Sequence, residues 1–306
     1  MNTAVTAGSP VRPAQPAKPA RRRPGGGAWI VVRTLWRQPK ARIGMLIIAA
    51  LAAMALLAPV VSPYSPNIST FPPMTGPSGA HLLGTTGGGQ DVLSQLIYGA
   101  RDSLLVAFGA GLLATLLAVS VGVLAGYLSG PADAVLNFVM NLLLVIPALP
   151  LMIVISTYTK GGSILTIILV IVLITWAFGG RVVRSRVMTL RSLDFVTAAQ
   201  FSGDRTGRII AREILPNIVS VIAAIFFAAA TGAVLAEAGL EFLGLGNPAT
   251  VSWGTMLYWA QTYNVLAQGQ WAGIFAPGLC IALVATAFAL LNFGVDELSN
   301  PRLRES

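Results

Sequence analysis

Charge is scarce in this chain of 306 residues: Asp, Glu, Lys and Arg make up 10% of it, against about 25% in soluble domains. Cysteine occurs once, at Cys280 inside an apolar run, which excludes an internal disulfide and leaves a small buried packing residue as the default reading. Histidine also occurs once, at His81, so no His/Cys cluster with metal-ligand spacing exists, and no nucleophile stands beside a base. A membrane-embedded enzyme therefore lacks its chemistry, and metal sites are not expected. Basic residues are missing altogether between Arg212 and Arg302.

What is present is apolar: 55% of the residues, with a mean hydropathy of +0.75. A helix needs roughly 20 apolar residues to cross a hydrocarbon core. Six stretches reach or approach that length, at about 43–62, 103–128, 135–157, 164–180, 217–240 and 272–294. The runs are continuous rather than alternating, and lipid offers the backbone no hydrogen-bond partner, so helices are expected rather than a barrel. The chain reads as an all-α polytopic membrane protein with six transmembrane helices.

The formal charge of +9 does not mark a nucleic-acid binder, because the basic residues lie beside the apolar spans, as topology requires. Nine Lys and Arg precede the first span, seven Arg lie between Arg181 and Arg212, and Arg302 and Arg304 close the chain; Arg101 and Lys160 stand apart. Short basic loops stay in the cytoplasm, so both termini and the 181–216 loop are expected there. Five regions follow: a basic Pro/Ala/Arg-rich cytoplasmic tail at 1–42, the first span at 43–62, an extracytoplasmic segment at 63–102, a five-helix core at 103–294 that includes the 181–216 loop, and a cytoplasmic tail at 295–306. The first tail is too poor in apolar residues to fold alone. A cleaved signal peptide is the competing reading of tail plus first span, against which stand the long basic region and an apolar run long enough to anchor.

The loop Ala198–Pro216, AAQFSGDRTGRIIAREILP, is the most informative stretch. Local rules predict a short helix capped by Asp194 and running through Phe195, Val196, Ala198, Ala199 and Phe201, a break at Gly203, and a second helix capped by Asp204 that ends before Pro216. Ala198 and Ala199 permit close approach to a groove, and Phe195 and Phe201 supply apolar anchors. A solvated basic loop that merely fixes topology accounts for the same residues equally well.

The order Ala198, Ala199, Gly203, Leu215, Pro216, Asn217 resembles the EAA loop of ABC-importer permeases. HLLGTTGGGQDVLSQLIYGARDSLL before the second span, EAGLEFLGLGNPATVSWGTML after the fifth and APGLCIALVATAFALLNFGVDELSNPRLR at the end are similar to the dipeptide, oligopeptide and nickel class, specifically its C-type permease subunit. The resemblance runs from about Arg33 to Arg304. It implies the type I importer permease fold, a homologous B-type permease partner, two cytoplasmic ABC ATPase subunits that carry the ATP and Mg, an extracytoplasmic substrate-binding lipoprotein, and no cofactor bound by this chain. The 194–216 stretch then becomes the ATPase-coupling loop. Three positions depart from the family: Thr197 stands where it has its namesake Glu, and Thr86 and Gln90 where it usually has Asp and Arg.

Other features carry paired readings. GTTGGGQD lacks the Gly-Lys-Ser/Thr ending of a phosphate loop and reads as an outer turn before a short surface helix, Val92 to Tyr98. Glu237 and Glu241 line an outer gate or meet a cationic cargo terminus, or are carboxylates partly solvated near the interface or bonded to the backbone of the irregular turn that follows. Trp253, Tyr258 and Trp259 form an interfacial belt, or a scoop into the path. Pro147 and Pro150 kink the third span at a translocation path, or merely distort packing. The expected function is a permease subunit forming half of the path for short peptides. The same machinery importing oligosaccharides is the alternative, and a stand-alone channel or ion-coupled carrier is the rival of another class.

Overall fold

In the computed structural model, residue 36 and the ranges 38–128, 130–158 and 163–299 are described, the last four of these without their side chains. The expected tails at 1–42 and 295–306 lie largely outside that set, as does Lys160. The described part is helical: α1 (Pro39–Leu56), α2 (Ala58–Val61), α3 (Val92–Tyr127), α4 (Pro131–Val145), α5 (Ala148–Tyr158), α6 (Ile164–Arg191), α7 (Asp194–Phe201), α8 (Thr206–Ile209), α9 (Val219–Phe242), α10 (Trp253–Thr262) and α11 (Ala272–Ser299). A π turn (Ile210–Ile214) and a 3-10 turn (Leu215–Asn217) join α8 to α9.

Five helices, α1, α3, α6, α9 and α11, are each long and apolar enough to cross a bilayer. α4 and α5 complete a sixth crossing only as a pair bent by 90°. The bend sits at Pro147, whose missing N–H ends the ladder, while Pro150 falls in the first turn of α5, where a proline costs no helical bond. The expected single span at 135–157 is thus a broken one.

α3 organises the bundle. At 36 residues it is about 54 Å long by helical rise, far more than a hydrocarbon core about 30 Å thick. Asp91 caps it, accepting from the backbone N–H of Ser94 at 2.8 Å. The separate surface helix expected over Val92–Tyr98 does not exist, because nothing after that cap breaks the helix and the segment is buried rather than lying on lipid. Gly122 and Gly126 let α6 run alongside at backbone distance: a Cβ at Gly126 would stand 2.7 Å from the carbonyl oxygen of Arg184. Gly111 does the same for α9, since a Cβ there would stand 2.9 Å from that of Ala230.

These contacts fix directions. Gly109 meets Ile168 and Gly126 meets Val187, so α6 runs parallel to α3; Gly111 meets Ala230, and Ser103 meets Glu237, so α9 runs antiparallel. One end of the bundle holds the 62–91 loop, the start of α3, the end of α9, and α10. The other holds Tyr127, Arg191 and the 192–218 segment. Asp133 and Arg184 join α4 to α6 through a two-pronged ion pair at 2.7 and 2.8 Å.

Candidate functional site

Arg181, Arg184, Arg186 and Arg191 do not lie in a loop. They ride the last turns of α6, whose opposite side buries Val183 and Val187 with Ile214 and Ile218. The connection proper is therefore 192–218, and it folds into a helix pair. α7 begins at Asp194, but its cap is Leu193, whose carbonyl accepts from the N–H of Thr197 at 3.1 Å. Asp194 occupies the first turn instead, where its charge suits the helix dipole. Gly203, at φ +79°, makes the break. Asp204 is not a cap either: Arg205 precedes α8, and Asp204 accepts from Arg208 at 3.0 Å.

Val196, Ile209 and Ile214 are the buried feet of this pair, so its placement on the bundle is fixed by apolar contact. Gln200 reaches the Tyr127 hydroxyl at 3.3 Å, and Arg191 lies 5.6 Å over the Tyr127 ring. The remaining surface is open. Phe201 is 89% exposed and Phe195 40%; Ala198 and Pro216 are exposed, and Ala199, Thr197 and Leu215 half-buried. Thr197 turns its hydroxyl back to the carbonyl of Leu193 at 3.3 Å, a local bond that supplies no charge to a partner.

A second feature is a cavity of about 430 Å³ between α3, α6 and α9. Ser220, Ala224, Ala228 and Gly232, spaced every four residues on α9, line it, with Arg186 and Asn292 also in its wall. Such small-residue rows let a second helix approach closely in a membrane.

At the opposite end, Glu237 and Glu241 are buried, 0% and 4% exposed, which overturns their reading as partly solvated groups. Their partners are hydroxyls: Ser103 of α3 donates to Glu237 Oε1 at 3.1 Å, and Ser252, at the end of the turn that follows α9, donates to Glu241. Gly246 and Gly254 make the room, since a Cβ on either would press on the Glu241 side chain. Ser252 and Thr255 form a capping box that starts α10. Trp253 is wholly buried, its ring N–H donating to the carbonyl of Leu96 at 3.1 Å, so it belongs to no interfacial belt. Tyr258 packs edge-on to Trp259 at 5.1 Å, and both are half-buried.

Hydropathy and charge gave no warning of several partners. His81 Nδ1 lies 2.9 Å from Asp91 Oδ1, and Asp91 Oδ2 accepts from Ser94, which ties the 62–91 loop to α3. The Asp133–Arg184 pair and the Ser103–Glu237 bond span 51 and 134 residues of chain, beyond any local pattern. The Ser252-x-x-Thr255 box was the one legible signal.

Comparison with known proteins fits this arrangement. Residues 118–305 match the family described as binding-protein-dependent transport system inner membrane component. The chain belongs to that family. Residues 28–79 also match the N-terminal TM domain of oligopeptide transport permease C. The chain is 32% identical over 261 residues to a protein of Brucella suis biovar 1 named as a peptide permease, covering 85% of this chain and 86% of that one. A second Brucella suis protein, named as a peptide transport system permease, is 32% identical over 277 residues, covering 90% and 92%. The dipeptide transport system permease protein DppC of Bacillus subtilis is 32% identical over 279 residues, covering 90% and 85%. This permease family is not itself catalytic, and its members are multi-pass proteins of the cytoplasmic membrane.

Proposed function

We propose that this chain is the C-type permease subunit of an ATP-driven importer of short peptides. The observation that carries the reading is the α7–α8 pair: two short helices hinged at Gly203, seated by Val196 and Ile209, and presenting an almost fully exposed Phe201 at the Arg-rich end of the bundle. Phe201, with the exposed Leu193 and Phe195 on the same short segment, gives apolar surface of the kind that marks a protein interaction site. The partner we assign is one of two cytoplasmic ABC ATPases, which bind the ATP and Mg; this chain binds neither. The Arg-bearing end then faces the cytoplasm, and both termini lie there.

The groove lined by Ser220, Ala224, Ala228 and Gly232 is assigned to the homologous B-type permease, the two bundles enclosing the path. Closure of the ATPases would push the coupling helices, and the rigid bundle would rock the path between inward and outward states. At the outer end Glu237, Glu241 and Trp253 hold α10 to α3 and α9, and so act as the hinge of an outer gate, with Tyr258 and Trp259 on its free side. The bend at Pro147 and Pro150 is assigned to the edge of the path. An extracytoplasmic binding lipoprotein delivers cargo at this end. Peptide cargo rests on the relatives, whose names refer to peptide or dipeptide transport.

The test is uptake of a labelled tripeptide by proteoliposomes holding the permease pair, the ATPases and the binding protein. Uptake that needs ATP and all components is expected. Transport by this chain alone without nucleotide would point to a channel or carrier and overturn the proposal.

A further inference from the structure

The end of the bundle opposite the coupling helices holds a second cavity, of about 390 Å³, and no Asp, Glu, Lys, Arg or His lines it. We propose that this cavity binds one or two units of a neutral saccharide, free or carried on a peptide.

Its walls are set before any ligand arrives. One wall is aromatic: Trp259 and Tyr263 lie stacked, ring centres 5.6 Å apart and planes within 22°. The Trp259 ring is held by its N–H, which donates to the carbonyl of Pro248 at 3.2 Å. The Tyr263 ring rests on Gly87, where any side chain would collide with it. The facing wall is polar. The Thr86 hydroxyl donates to Gln90 Oε1 and accepts from the backbone N–H groups of Gly88 and Gln90 at 3.2 and 3.1 Å. That leaves the Gln90 amide N–H groups for the cavity. Gln95, only 9% exposed, donates Nε2 to the carbonyl of Pro66 at 3.4 Å and lines the same cavity.

The ligand must therefore match three things. It has an apolar face for the rings, a polar rim with both donors and acceptors for the amides, and no charge. A pyranose ring has C–H groups on its faces and hydroxyls around its edge, and is neutral. A short peptide carries an ammonium and a carboxylate close together, and a charge-free cavity of this size would strip water from one of them with no counter-charge. The volume lies at the small end of ligand pockets, about 300 to 1,000 Å³.

The experiment uses the assembled transporter in lipid nanodiscs and equilibrium binding, followed by saturation-transfer NMR. It needs no ATP turnover, so its failure leaves the peptide-import reading standing. The probes are cellobiose, N,N′-diacetylchitobiose, an end-blocked tripeptide, and the same tripeptide carrying one hexose. Saturable binding of the free disaccharides, or of the glycosylated peptide alone, supports the proposal and tells a free source from a peptide-borne one. Gln95→Glu, which keeps the shape and adds a charge, should weaken binding at least tenfold; Gln90→Ala, at a less buried position, does the same without risk to the helix. No saccharide binding, equal binding of the unglycosylated peptide, or wild-type affinity in both variants would overturn it.

Discussion

Removing the Phe201 ring separates a docking surface from a topological loop. The side chain is 89% exposed, so Phe201→Ala takes away almost no packing inside this chain and should leave the melting temperature of the isolated permease pair within about 1 °C. An aromatic anchor at the centre of an interface is worth about 2 kcal/mol or more, which is about a thirtyfold loss of affinity. Titrating purified ATPase onto nanodisc-held permease pair, read by fluorescence anisotropy, should show that loss, with ATP-dependent uptake falling alongside. Val196→Ala is the contrast: Val196 is fully buried beneath the same helix, and its truncation should lower stability by about 1 to 2 kcal/mol. If Phe201→Ala binds ATPase and supports uptake like wild type, the ring contacts nothing and the lever reasoning fails.

Gly203→Ala should cost about 1 kcal/mol in loop stability through backbone conformation alone, since φ is +79° and nothing lies within 4 Å of a new Cβ; Gly203→Asn, which tolerates that region, should recover most of the coupled ATPase rate. Gly122→Val should separate α3 from α6, because even a methyl there would sit 2.5 Å from the Gly180 carbonyl oxygen; a loss of about 1 to 3 kcal/mol is expected as a lower melting temperature. Asp133→Ala should destabilise by about 1 kcal/mol, and Arg184→Lys should do nearly the same, because a lysine cannot repeat the two-pronged contact at 2.7 and 2.8 Å. Ser252→Ala removes both a helix cap and the hydroxyl on Glu241, so a loss of at least about 1 kcal/mol and protease sensitivity near Trp253 are expected.

The apolar runs were enough to find the five long apolar helices and the bent pair among the described residues, since a length of apolar chain is a local property. Boundaries were not. α3 begins eleven residues before its expected start because Asp91 supplies a cap and Ser94, Gln95 and Gly99 are covered by α10 and neighbouring loops, a tertiary fact that polarity misreads as surface. α6 runs on through Arg191 for the opposite reason: its arginines share a helix with Val183 and Val187, which find partners only once Ile214 and Ile218 return to them. Asp194 and Asp204 were legible as helix-start residues, and each helix begins one position from where it would if they capped it. Glu237 and Glu241 could not be placed from sequence, because their hydroxyl partners come from α3 and from the turn before α10. Pro147 marked a break, but a 90° bend rather than a kink depends on how Met152 packs with Val170, Ile174 and Leu240.

The claim on which the account turns is that the Gly203-hinged helix pair meets an ATPase inside the cell. A photo-reactive amino acid placed at Phe201 in the assembled transporter, irradiated in intact membranes, tests it directly. Cross-links from that position to the ATPase subunit, with none from the same probe at Trp259, are the predicted result; cross-links from Phe201 only to lipid or to the extracytoplasmic binding protein would contradict it.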